Sequence, residues 1–276
     1  MLHLGVMLSN DGSLMRIYSD NVSRFRIRIV STLDDYEGTP LLIFNGIGAS
    51  LEILEPVLKE LELPAIAFDM PGTGGSPARY VGLSMARFAD IGLALMDKLG
   101  IATANIMGVS WGGGVAQEFA RRHGNRAGKL ILAATSMGQV MVPPGPRVML
   151  HMASPLRYLS SAYFRNVAST IYGRDFRKDP GLARKHASKM SPPNSMGYLQ
   201  QLAAIGGWTS AFWLHKIPHE TLVLAGTDDP VIPLINARMI ANRIPNARLE
   251  TFDCGHLFIL TRRQQAVGSI EQFLLS

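Results

Sequence analysis

Ser110 sits in Gly108-Val109-Ser110-Trp111-Gly112, directly after the apolar run ANIMGV and directly before the helix-like segment GGGVAQEFARRHG. A serine hydroxyl is a poor nucleophile at neutral pH and needs an adjacent base. The order strand, G-x-S-x-G, helix provides the setting for one. A sharp turn lifts the serine oxygen above the end of a parallel sheet, and the glycines let strand and helix pass closely. The chemistry implied is nucleophilic attack on an acyl carbonyl, with an acid and then a histidine expected later in the chain. Both are present. LVLAG (222–226) runs into Thr227-Asp228-Asp229-Pro230, and LETFD (249–253) runs into Cys254-Gly255-His256. Each side chain therefore falls in a loop after a strand, at the sheet edge that carries Ser110. His256 is the candidate base, and Asp229 the preferred partner to orient it. Asp228 is the alternative, with turn stabilisation as its ordinary role.

Attack on a carbonyl also needs donors for the oxyanion. LLIFNGIGAS (41–50) reads as a strand ending in a glycine-rich turn, followed by a helix starting near Ser50. The backbone N–H groups of Ile47 and Trp111 are the candidate donors, and Gly46 and Gly48 would let the main chain approach a substrate.

The elements that must hold these residues follow from periodicity. RFRIRIV (24–30) alternates like a half-exposed strand and is expected to pair with LMRIYS (14–19). Strand and helix signals then alternate: PLLIFN, a helix around 49–62, PAIAFDM, and a helix from the N-cap Ser84 to the stop at Gly100. ANIMGV, the helix after Ser110 and KLILAAT (129–135) complete a β-α-β run. That rhythm predicts a mostly parallel eight-stranded sheet with helices on both faces. Between the sixth and seventh strands it breaks. Residues 138–216, rich in Met, Pro, aromatic residues and Arg, are expected to form a helical cap over the sheet edge, leaving 1–137 and 217–276 as the core.

The 276 residues are 47% hydrophobic, enough for one large core, and no apolar stretch reaches the roughly 18 residues of a membrane span. The opening MLHLGVMLSNDGSLMRIYS lacks a basic start and a small-residue cleavage site, so it does not read as a signal peptide. A single cysteine, Cys254, suits a reducing cytoplasm. No His/Cys cluster has metal-ligand spacing and no dinucleotide fingerprint follows a strand, so no cofactor is implied. The net charge of +6 is unevenly placed: residues 138–216 hold ten Lys/Arg against two Asp/Glu, the remainder 17 against 19. Without a basic-aromatic module, this does not point to nucleic acid.

The strings PLLIFNGIGAS, GVSWGGGVAQEFA, GWTSAFWLHKI, LVLAGTDDPVIPLINARM and DCGHLFILTR resemble the intracellular depolymerases of medium-chain-length poly(3-hydroxyalkanoates), a family with the α/β-hydrolase fold. The likeness runs from about Pro40 to the C-terminus and includes the cap. It implies a nucleophile at Ser110, an acid at Asp229 and a base at His256. It also implies a serine esterase that cleaves a storage polyester to 3-hydroxy fatty acids or oligomers through an acyl-enzyme. Long alkyl side chains on such a polymer need an apolar groove, for which Met137, Met141, Trp208, Phe212 and Trp213 are candidates, with Met149, Met152 and Phe164 behind them. The basic, apolar cap makes a storage-granule surface a candidate partner. The competing expectations are a carboxylesterase or C–C bond hydrolase on small hydrophobic substrates, and a non-catalytic receptor on the same fold.

Overall fold

The computed structural model describes residues 5–8, 14–33, 38–79, 82–154, 156–188 and 194–276. Part of the opening stretch read for a leader, residues 1–4 and 9–13, lies outside the described residues. The strands are β1 (Gly5–Leu8), β2 (Leu14–Val22), β3 (Phe25–Ser31), β4 (Leu41–Phe44), β5 (Ala65–Phe68), β6 (Ala104–Val109), β7 (Ala127–Ala133), β8 (Thr221–Gly226) and β9 (Ala247–Phe252). Among the described residues they form one sheet, ordered β1-β2-β3-β5-β4-β6-β7-β8-β9. The first three strands pair antiparallel, β3 joins β5 antiparallel, and from β5 to β9 every pairing is parallel. The eight expected strands are present. Short β1 extends the antiparallel edge as a ninth, so the insert follows the seventh strand in chain order.

Every residue of β4, β5, β6 and β8 is buried, because helices cover both faces of a parallel sheet. The period of two sorts those residues into two cores. On one face Leu42, Phe44, Phe68 and Ile106 pack with Phe88 and Phe119 from the helices Met85–Lys98 and Trp111–Arg122. On the other, Leu41, Ile43, Met107 and Ile131 pack with Val57 and Ile270 from the helices Leu51–Leu58 and Arg263–Leu275. Ser84 caps its helix by accepting from Arg87 N–H at 3.3 Å, and Gly100 takes φ +70° just beyond the end. The helix expected around 49–62 narrows to Leu51–Leu58, its chain turning away where Leu61 N–H reaches back to Val57.

Between β7 and β8 the chain is helical: Pro146–Ala153, Leu156–Leu159, Ser161–Tyr172, Arg174–Lys178, Pro180–Ala187 and Ser195–Gly206. This cap has a small core of its own, with Phe164, Ile171, Tyr172, Phe176 and Ala183 packing against Val231 in the loop after β8. Its two roots are joined. Gly138 and Thr209 form an antiparallel bridge, Ser210 N–H donates to Met137 at 3.0 Å and Gln139 N–H to Trp208 at 2.9 Å. Among the described residues, no helix is long and apolar enough to cross a membrane.

Candidate active site

Ser110 occupies the turn from β6 into Trp111–Arg122 with φ +53° and ψ −118°, a backbone conformation that costs a non-glycine residue of order 1–3 kcal/mol. The surroundings hold it there. Ser110 N–H donates to Ala133 at 2.8 Å, and its carbonyl accepts from Gly113 N–H at 2.9 Å and Thr135 Oγ1 at 2.7 Å. The turn needs its glycines for space as well. A Cβ on Gly108 would strike the backbone of Gly112, and one on Gly112 would strike the carbonyls of Phe44 and Asn45.

His256 and Asp229 arrive from the loops after β9 and β8. His256 Nε2 lies 3.1 Å from Ser110 Oγ, and Nδ1 lies 2.7 Å from Asp229 Oδ2. The tautomer that satisfies both contacts carries its proton on Nδ1, leaving Nε2 to accept from the serine hydroxyl. Asp229 is fixed by Val231 and Ile232 N–H, which donate to its Oδ1 at 2.8 and 2.9 Å. Asp228 is turned outward and paired with Arg177. His256 is also braced by the cap: its N–H donates to the Tyr172 carbonyl at 3.1 Å, and the two rings stack with centroids 6.3 Å apart.

The loop after β4 passes close to the serine. A Cβ on Gly46 would lie 3.7 Å from Ser110 Cβ. Ile47 and Trp111 are both buried; Trp111 opens its helix, where an N–H has no intrahelical acceptor. Two buried side chains hold this corner, and neither is among the expected site residues. Gln201, from the cap helix Ser195–Gly206, accepts Gly48 N–H on Oε1 at 2.8 Å and donates from Nε2 to Thr73 Oγ1 at 2.9 Å. Its carbonyl accepts the Trp111 indole N–H at 2.9 Å. Asp69, at the end of β5, accepts Leu51 N–H and Gly75 N–H at 2.8 Å each, fixing the helix that follows the loop. Burial pushes the Asp69 carboxyl up to about 6, against the opposing pull of the Gly75 N–H, Arg28 and the Leu51 N–H.

A narrow cleft, partly open to solvent, is lined by Ser110, His256 and Ile47. Its cap-side wall is Met152, Arg157, Tyr172 and His186, and Ile53 and Leu260 face them. The expected apolar groove lies elsewhere. Met137 and Trp208 belong to the joined roots of the cap, with Trp208 Nε1–H donating to Glu118 at 2.9 Å. Trp213 packs under Arg121 and against Trp208. Phe212 is on the outer surface and Phe164 is in the cap core. Neither Met141 nor the exposed Met149 lines the cleft; of the wider set, Met152 does. The reason is topological. Residues next to the roots of an insert are spent closing it, and only its middle reaches over the serine. Cys254 is buried, its thiol pushed up to about 12 first by burial and then by Asp175, so it is no competing nucleophile. Among the described residues, no group of three His, Cys, Asp or Glu could hold a metal ion.

This fold, with a strained serine at the β6 turn and an acid and a histidine at the following strand ends, defines a class: the chain belongs to the α/β-hydrolase fold family, whose model matches residues 39–262. Within it, the chain is 51% identical over 243 residues to the Poly(3-hydroxyalkanoate) depolymerase of Ectopseudomonas oleovorans, covering 86% of this chain and 84% of that one, and the two belong to one family. It is 31% identical over 229 residues to the Pimeloyl-[acyl-carrier protein] methyl ester esterase of Aromatoleum aromaticum, with 73% and 84% covered. Among solved structures, the enol-lactonase from Burkholderia xenovorans LB400 superposes with a TM-score of 0.81 over 94% of this chain and all of that one, at 21% identity. That last likeness speaks to the fold. The chain is a hydrolase.

Proposed function

We propose that the protein is a serine esterase that cleaves poly(3-hydroxyalkanoate) chains, with Ser110 as nucleophile, His256 as base, Asp229 as its orienting acid, and the N–H groups of Ile47 and Trp111 as oxyanion donors. The observation that carries the reading is the contiguous relay of 3.1 and 2.7 Å from Ser110 through His256 to Asp229. The substrate follows from the name of the 51% identical relative.

The steps follow from the geometry. His256 Nε2 takes the hydroxyl proton as Ser110 Oγ attacks the ester carbonyl, and Asp229 stabilises the imidazolium. The carbonyl oxygen gathers charge against the two backbone donors. Collapse expels the 3-hydroxyl of the next repeat unit, which takes the proton from His256. Water then attacks the acyl-enzyme by the same route and frees the acid. The test is incubation of the protein and Ser110→Ala with emulsified medium-chain polyester, short-chain polyester and p-nitrophenyl esters. Release of 3-hydroxy acids from medium-chain polymer alone, lost in the variant, is expected. Turnover of soluble esters without polymer would favour a plain carboxylesterase, and no turnover a receptor.

Residues 138–216 carry a charge excess of +8, ten cations less two anions, and present exposed Leu150 and Phe212 at 71% and 76%. We read that surface as docking on an apolar storage granule with an anionic coat, in the cytoplasm. Granule binding that is equal at low and high salt would remove the electrostatic part.

A further inference from the structure

A second cavity, partly open to solvent, adjoins the Ser110 cleft and shares three wall residues with it: Ile53, His186 and Leu260. It opens along the seam between the cap helix Pro180–Ala187 and the helix Leu51–Leu58. Its walls are apolar, from Ile53, Leu182, Leu260 and Phe176, and the charged residues that line it are Lys185 and Arg263. Arg263 is paired with Glu60. Lys185 is exposed and forms no ion pair among the described residues. His186 stands at the junction, stacked on Phe164 with centroids 5.3 Å apart and in contact with Tyr172 and Phe176. Burial against those rings pushes its imidazole down to about 4, so it is neutral at physiological pH and adds no charge to the shared wall.

We infer that this cavity is a leaving-side subsite for a chain that ends in a free carboxylate, with the alkyl side chains against Ile53, Leu182 and Leu260 and the terminal carboxylate at Lys185. The inference rests on the polyester reading above. The chemistry sets the direction. A 3-hydroxyacid polyester has one hydroxyl end and one carboxyl end. In any ester bond attacked by Ser110, the acyl half leads to the hydroxyl end and the departing alcohol half leads to the carboxyl end. A basic mouth whose apolar walls adjoin the serine cleft therefore suits the departing half. The subsite would favour cleavage near the carboxyl terminus, where a short acid is released. Its preference for the charged end would weaken in salt, because Lys185 is exposed.

The experiment compares a dimer or trimer of a medium-chain 3-hydroxy acid as the free acid and as its methyl ester, with the wild type, Lys185→Met and Lys185→Glu, at low and high salt. The wild type is expected to show a kcat/KM about fivefold higher on the free acid at low salt, a ratio that shrinks at high salt. Lys185→Met is expected to abolish that preference and Lys185→Glu to reverse it. Leu182→Trp, which fills the cavity, is expected to lower turnover of the oligoester relative to p-nitrophenyl butanoate. Equal rates on acid and methyl ester by the wild type, an unchanged preference in Lys185→Glu, or an unchanged ratio in Leu182→Trp each overturns the subsite while the polyester reading stands. Failure of the wild type to hydrolyse either oligoester, beside turnover of p-nitrophenyl esters, overturns that reading and the subsite with it.

Discussion

Gln201 Oε1 accepts the N–H of Gly48 at 2.8 Å, so a cap helix holds the loop that carries the proposed oxyanion donor Ile47. The same residue's carbonyl takes the Trp111 indole N–H, which ties the cap to the second donor residue as well. Cap and oxyanion site are thus one hydrogen-bonded unit. Replacing Gln201 by Leu strands a buried backbone donor and the Thr73 hydroxyl, at about 1–3 kcal/mol for a buried unpaired group. The expected result is a kcat about tenfold lower on a p-nitrophenyl ester with little change in KM, and a matching loss of affinity for a boronic-acid transition-state analogue. Gln201→Glu, which keeps the acceptor for Gly48, should retain more activity. A lower Tm with unchanged kcat would make Gln201 purely structural.

Ser110 holds its φ of +53° at the expense of stability. Glycine tolerates that conformation, so Ser110→Gly should melt above Ser110→Ala, by a few degrees for relief of about 1 kcal/mol. Both variants should lose activity by several orders of magnitude. Thermal unfolding of the two inactive variants side by side checks this, and identical Tm values would deny the strain.

The two neighbouring aspartates are expected to behave very differently. Asp229→Asn removes the carboxylate that fixes the His256 tautomer and should reduce kcat by about 10⁴, as in comparable triads. Asp228→Asn breaks only a half-exposed pair with Arg177, worth at most about 1 kcal/mol, and should leave kcat within about twofold. Steady-state kinetics on one soluble ester separates them.

Asp69 gives the stability a pH dependence of known sign. Its carboxyl is raised from 3.8 to about 6 in the folded protein. Below about pH 4 it is neutral in both states and its contribution is fully present. As pH rises through 6 the unfolded chain ionises first and that contribution is lost, by about 3 kcal/mol over the span. Asp69→Asn carries no such titration. The stability of wild type relative to Asp69→Asn should therefore fall between pH 4 and 6, measured by urea unfolding. A constant difference would contradict the raised pKa.

Local patterns carried much of the site. A serine in G-x-S-x-G after a buried strand, and an acid and a histidine each just past another, are legible because a parallel sheet brings all its carboxyl ends to one edge. The alternation of strand and helix likewise announced the sheet, the hairpin edge and the helical insert. The preference for Asp229 over Asp228 rested on loop spacing and on family resemblance, since adjacent residues differ only in which way a loop turns them. The walls of the cleft were also hidden. Met137 and Trp208 looked like groove residues by type, yet they close the roots of the insert. Tyr172, His186 and Gln201 have ordinary surroundings in the chain and reach the site only because the cap folds back over it. Sequence by itself located the proposed nucleophile, acid and base and their order, because those depend on short-range turn chemistry and strand ends. Tertiary structure alone decided what braces them and what can reach them, because those contacts join residues as far apart as Gly48 and Gln201.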